Sequence, residues 1–148
     1  MNNPLLENVT LPAFSKILPE HVEPAVNTVL QQAKQTVVDL LSTLETPTWQ
    51  SLVIPMEELD ASIHQVWSPV SHLNSVMNSD ELRVAYNACL PKLSEFGTEL
   101  GQNEALYKAY KGIADSEQYH TLDVAQKKVI DNALRDFRYA SMAKTHYR

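Results

Sequence analysis

The sequence predicts an all-α protein, an antiparallel bundle of about four to five helices, some of them proline-kinked, following an extended N-terminal segment. Three observations carry this. The 148 residues include only three glycines, too few for a turn-rich sandwich or barrel. Apolar residues recur in steps of three and four along most of the chain. Short turn signals such as "ETPT", "MNSDE" and "GQN" separate these periodic runs.

The opening "MNNPLLENVTLPAFSK" has two prolines and no helical period, which predicts an extended segment with Leu5, Leu6, Leu11 and Phe14 pinned against the body. "ILPEHVEPAV" then starts a helix: Pro19 and Pro24 lie early, where a missing N–H is tolerated, and Glu20 and Glu23 suit the positive helix end. Its stripe is Val22, Val26, Val29, Ala33, Val37, Leu40 and Leu44. Pro47 disfavours helical geometry in the residue before it and so closes the run. Thr48 is the expected N-cap of a second helix, striped by Leu52, Met56, Leu59, Ile63, Val66, Val70, Leu73 and Met77. Asn78 or Ser79 caps a third, with Asp80 and Glu81 in its first turn and Leu82, Tyr86, Cys89, Leu93, Phe96 and Leu100 inward. A short helix is expected over 104–111, with Leu106, Ala109 and Tyr110 inward and Gly112 as its stop. A last helix follows a Thr121 cap, carried by Leu122, Ala125, Val129, Ala133 and Phe137. Pro55, Pro69 and Pro91 fall inside periodic segments. Each removes an i to i−4 hydrogen bond and should kink or interrupt its helix, so a curved wall is expected.

Composition narrows the function. The chain is 44% hydrophobic and 20% charged, with a formal net charge of −6. That balance supplies no basic face for displacing counterions from phosphates, so nucleic acid is not an expected partner. No stretch approaches the roughly 20 apolar residues of a membrane span, and the N-terminus lacks the pattern of a secretory signal. With Cys89 as the only cysteine, no internal disulfide forms. The expected location is cytoplasmic, and Cys89 reads as a small buried hydrophobe.

Residues that could carry chemistry do not assemble into a motif. "SIHQVWSPVSHLNSV" presents His64 and His72 eight residues apart, about 12 Å along a helix and about 80° out of phase. Two ligands of one zinc on a single helix need a spacing of three or four. No His-Glu-x-x-His occurs, and no serine lies in a Gly-x-Ser-x-Gly turn. The carboxylate pairs Glu57–Asp60 and Asp80–Glu81 read as solvated helix faces. No catalytic, cofactor-binding or metal residue is therefore expected. Tyr86 and Tyr110 have core spacing, Trp49, Tyr107 and Tyr119 could line a groove, and Trp67 faces either a second helical layer or a partner.

Four separated blocks, "FSKILPEHVEPAV", "SPVSHLNSVMNSDELRVAY", "GQNEALYKAY" and "TLDVAQKKVIDNALRDF", together resemble the N-terminal portion of the oligopeptidase A branch of the thimet oligopeptidase family of zinc metallopeptidases. The likeness runs from about Pro4 to Phe137. It implies a mostly helical protein that cleaves short cytosolic peptides in a deep channel, with zinc held by an HExxH helix and a later glutamate in a much longer chain. The N-terminal helices would line the channel wall. Residues 1–137 are then the helical domain, and the basic "RYASMAKTHYR" of 138–148 departs from the family pattern. The chain is expected to be a truncated product without zinc or activity of its own. Its expected partners are short peptides, the missing catalytic part, or a second copy meeting exposed apolar surface. A freestanding helical peptide- or protein-binding module is the alternative.

Overall fold

A computed structural model describes residues 2–146, all helix, turn and connection with no strand among them. Six α-helices follow in order: α1 Pro19–Thr43, α2 Ile54–Val76, α3 Asp80–Gly101, α4 Glu104–Ala114, α5 Glu117–Thr121 and α6 Val124–His146. The chain divides into two compact units, Met1–Val37 with Glu57–Glu95 and Val38–Met56 with Phe96–Arg148.

In the first unit, the opening segment is not extended throughout. Two single 3₁₀ turns interrupt it, Pro4–Leu6 and Phe14–Lys16. The first forms because Asn3 Oδ1 accepts the Leu5 N–H at 3.1 Å and Pro4 presets the turn. Of the four apolar residues expected to be pinned, Leu5 is buried at 4% exposure while Leu11 is open at 81%. Leu6 and Phe14 are also exposed; Ile17 is the second residue of the segment to be buried. The segment is tied at His21 instead: Asn3 Nδ2 donates to its carbonyl at 2.8 Å, and its Nδ1 accepts the Leu18 N–H at 3.0 Å.

Along α1, Val22, Val26, Val29, Ala33 and Val37 are buried as their spacing predicts and Ala25 and Leu30 widen the face, whereas Leu40 is half-buried and the half-buried Leu44 lies past the helix end at Thr43. Along α2, Leu59, Val66, Val70 and Leu73 are buried, but the helix ends at Val76 and leaves Met77 exposed. The helical assignment runs through Pro69 and Pro91 without interruption. Ser79 caps α3, its Oγ accepting the Leu82 N–H at 3.1 Å. Lys92 Nζ reaches Glu23 at 2.8 Å and Asn27 at 2.7 Å, linking α3 to α1. Cys89 is fully buried in α3. Burial pushes its thiol up from the ordinary 9.0, with Glu23 adding to the rise and Lys92 opposing it.

In the second unit Thr48 is the N-cap that the sequence indicates. Its Oγ1 accepts the Ser51 N–H at 3.0 Å and its own N–H donates to Ser51 Oγ at 2.9 Å. The first turn, Trp49–Val53, is wound as a π-helix and gives way to α2 just before Pro55, whose ring has no N–H to continue an i to i−4 ladder. The core joins Leu52 and Val53 to Leu106, Ala109, Tyr110 and Ile113 of α4, and to Leu122, Ile130, Leu134 and Phe137.

Two boundaries differ from expectation. Gly112 does not stop α4, which runs on to Ala114. No glycine has a positive φ, so the left-handed cap that favours glycine is absent. Thr121 ends the short α5, and Asp123 caps α6 through a reciprocal pair: Gln126 N–H to Asp123 Oδ1 at 2.7 Å and Asp123 N–H to Gln126 Oε1 at 3.0 Å. On α6 the expected Phe137 is buried and Val129 and Ala133 pack against the core, joined by the buried Ile130 and Leu134, while Ala125 is exposed.

Two expected outcomes follow from these local geometries. Asp123→Ala removes the α6 cap and should lower unfolding free energy by about 0.5–2 kcal/mol in urea titration. A folded-state thiol value above the unfolded one means that the Cys89 contribution to stability is complete below the unfolded value of 9.0 and lost as pH rises through the folded value. Iodoacetamide should therefore label Cys89 slowly at pH 8 until urea unfolds the chain, and the urea midpoint should fall as pH is raised above 9. Rapid labelling of the native chain would contradict its burial.

Candidate functional site

His64 and His72 are both exposed on α2, eight residues apart. The His72 ring lies 5.3 Å from Phe14, tilted by 53°. Among the described residues, no group of three His, Cys, Asp or Glu side chains is close enough to hold a metal ion. Trp67 faces a second helical layer: its ring stacks on Tyr86 of α3 at 4.9 Å and 18°. Offset stacking of this kind adds about 0.5–1.5 kcal/mol beyond burial.

The second unit contains a recess. A cleft of about 230 Å³ is lined by Met56, by Gly97, Leu100 and Gly101 of α3, by Leu106 and Tyr110 of α4, and by Ala133, Asp136 and Phe137 of α6. Each wall has a traceable cause. Asn103 starts α4 by accepting the Leu106 N–H on Oδ1 at 3.0 Å, which sets Leu106 and Tyr110, four residues on, along one face. Phe137 is held by two tyrosines, with Tyr107 edge-on at 5.7 Å and Tyr110 tilted at 5.9 Å. Gly101 lets α3 and α6 approach, since a Cβ there would stand 3.0 Å from the Ala140 Cβ.

The walls are apolar apart from Asp136, whose side chain is 71% exposed and whose ion pair with Arg135 measures 3.7 Å. A carboxylate beside an apolar recess can orient a cation.

Beside the cleft, α5 is secured by side chains. The Trp49 N–H donates to Gln118 Oε1 at 3.0 Å, and the Tyr119 hydroxyl donates to Asp131 at 3.0 Å. The latter bond is the main reason that the Tyr119 phenol is shifted upward. Of the aromatic candidates, Tyr110 lines the cleft and Tyr107 supports its wall, while Trp49 and Tyr119 pack against the core. Sequence inspection passed over Gly97, Gly101 and Asp136. The signal for them is slight: two of the three glycines stand one turn apart, the second at the start of the "GQN" turn signal.

The described residues thus form a helical fold whose second unit holds an apolar recess. This chain belongs to the neurolysin/thimet oligopeptidase family: residues 26–146 match the profile described as "Neurolysin/Thimet oligopeptidase, N-terminal domain". It is 51% identical over 142 residues to Oligopeptidase A of Escherichia coli (strain K12), an alignment covering 96% of this chain and 21% of that protein. Oligopeptidase A of Haemophilus influenzae is 45% identical over the same shares. A probable cytosolic oligopeptidase A of Arabidopsis thaliana is 31% identical over 91% of this chain and 19% of its own length. The chain thus spans about a fifth of the length of these relatives.

Gly101→Ala should lower the melting temperature, because crowding against the Ala140 Cβ at 3.0 Å outweighs the roughly 0.5–1 kcal/mol that helix propensity returns. Thermal unfolding followed by circular dichroism reads this, and an unchanged melting temperature would remove the close-approach explanation.

Proposed function

We propose that this chain serves as the N-terminal, channel-lining helical part of a zinc-dependent oligopeptidase that degrades short peptides in the cytosol, and that it has no hydrolytic chemistry of its own. The observation that carries this reading is the pattern of coverage: nearly the whole chain aligns, yet it accounts for only 21% of a bacterial Oligopeptidase A. The residues present do not fit a zinc centre. The sequence has no HExxH, and no donor trio assembles among the described residues. Zinc chemistry therefore belongs to a partner segment in this reading, and no step is assigned to these residues.

Cytosolic location is supported by the name of one Arabidopsis relative, although another, 30% identical, is an organellar oligopeptidase A. No helix among the described residues is long and apolar enough to cross a membrane. Pro69 and Pro91 each remove one backbone hydrogen bond from a long helix, which favours the bending that a channel wall requires. Leu11, Met77 and Val84, each more than 70% exposed, are the kind of surface that meets a catalytic portion or a second copy.

The test is an exchange. This chain replaces the matching 142 residues of the E. coli relative, and cleavage of a short fluorogenic peptide is followed together with zinc content. The expected outcome is a folded, zinc-loaded chimaera that cleaves the peptide, while the 148-residue chain alone neither binds stoichiometric zinc nor turns over. A folded, zinc-loaded chimaera without cleavage would sink the proposal. Turnover by the chain alone would overturn its inert half.

A further inference from the structure

Among the described residues, nothing near Gly97 requires a glycine there. A Cβ built on it meets nothing within 4 Å, its φ is not positive, and it lies inside α3 rather than at an end. Glycine in a helix interior costs about 0.5–1 kcal/mol relative to alanine. Gly101, one turn on, has the Ala140 contact to account for it, whereas Gly97 only leaves the α3 backbone bare where it lines the cleft. Across from it stand Leu106, Tyr110 and Phe137, and the carboxylate of Asp136 is the one charged group of the lining. Its contact to Arg135, at 3.7 Å, is well beyond the roughly 2.7–2.9 Å of a direct charge-assisted hydrogen bond. The volume of about 230 Å³ falls below the roughly 300 Å³ at which small-molecule sites begin, so the recess fits one large side chain and not a cofactor.

We infer that this cleft is an anchor pocket for a single aliphatic or aromatic side chain of a linear peptide, with Asp136 at its mouth engaging a lysine or arginine next to that side chain. Apolar walls favour the anchor and the carboxylate selects the sign of its neighbour. The bare α3 backbone at Gly97 leaves space that any other residue would fill. The choice of a peptide as occupant rests on the peptide-handling role proposed above, but the two readings fail separately.

The experiment uses the full 148-residue chain and NMR titration with three short acetylated, amidated peptides whose central pairs are Phe-Arg, Phe-Glu and Ser-Arg in a Gly/Ser background. Saturable shifts at the Gly97 amide and the Leu100 and Leu106 methyls are expected with Phe-Arg, and binding about tenfold weaker with either control. Asp136→Asn should bring Phe-Arg and Phe-Glu to equal affinity while keeping both above Ser-Arg. Gly97→Leu should abolish the shifts. Gly97→Ala is the milder variant, expected to raise the melting temperature while weakening Phe-Arg binding. Equal binding of Phe-Arg and Ser-Arg, shifts confined to residues outside the cleft, or undiminished affinity in a folded Gly97→Ala chain would each overturn the pocket. Cleft shifts that depend on protein concentration without peptide would replace it by a self-association surface. Cleft binding with an inactive chimaera would reject the peptidase reading alone, and an active chimaera without cleft shifts would reject the pocket alone.

Discussion

The packing of α4 on α6 is the interaction on which the second unit depends. Ile113 and Ile130, one from each helix, have no exposed surface and share a core with Leu106, Leu134 and Phe137. Burying a side chain of that size contributes about 1.5–3 kcal/mol, against about 1 kcal/mol for a helix cap and 0–1 kcal/mol for an exposed ion pair. The seam therefore dominates, and weaker features are arranged around it. The five-residue α5 is too short to be stable alone and is ordered by what it touches: Gln118 on the Trp49 N–H and Tyr119 on Asp131. The cleft shares Leu106, Tyr110 and Phe137 with that seam.

The first unit solves the same problem with different parts. Its burial comes from a broad α1 face, the middle of α2 and the Leu82 and Cys89 positions of α3. Polar groups serve alignment more than stability. Lys92 bridges Glu23 and Asn27 across α1 and α3, but both charged side chains are one-third or more exposed, which keeps the net contribution small. The Trp67–Tyr86 stack and the Lys92 bridge relate helices to one another, whereas Asn3 and His21 secure the entry to α1.

Much of this was legible in the residues, where a local rule decides the outcome. Thr48 and Ser79 were readable as caps because each has short-range partners, and the long stripes were readable because period and burial agree. Reading failed where tertiary contacts decide. Thr121 and Asp123 are both competent caps by type, and the Gln126 partnership selects the second. Gly112 looked like a helix stop, yet its backbone stays right-handed and α4 continues. The N-terminal segment has no helical period because its 3₁₀ turns are too short to show one. Family membership was legible because several separated blocks keep their order. The cleft was not, since its walls come from stretches far apart in the chain.

The chain has two tryptophans, and they fall in different units: Trp67 against Tyr86 in one, Trp49 at the first turn preceding α2 in the other. Intrinsic emission therefore contains two signals of separate origin. A single-tryptophan variant of either kind isolates one of them, and denaturation curves from the pair report whether the two units melt as one cooperative body or in sequence.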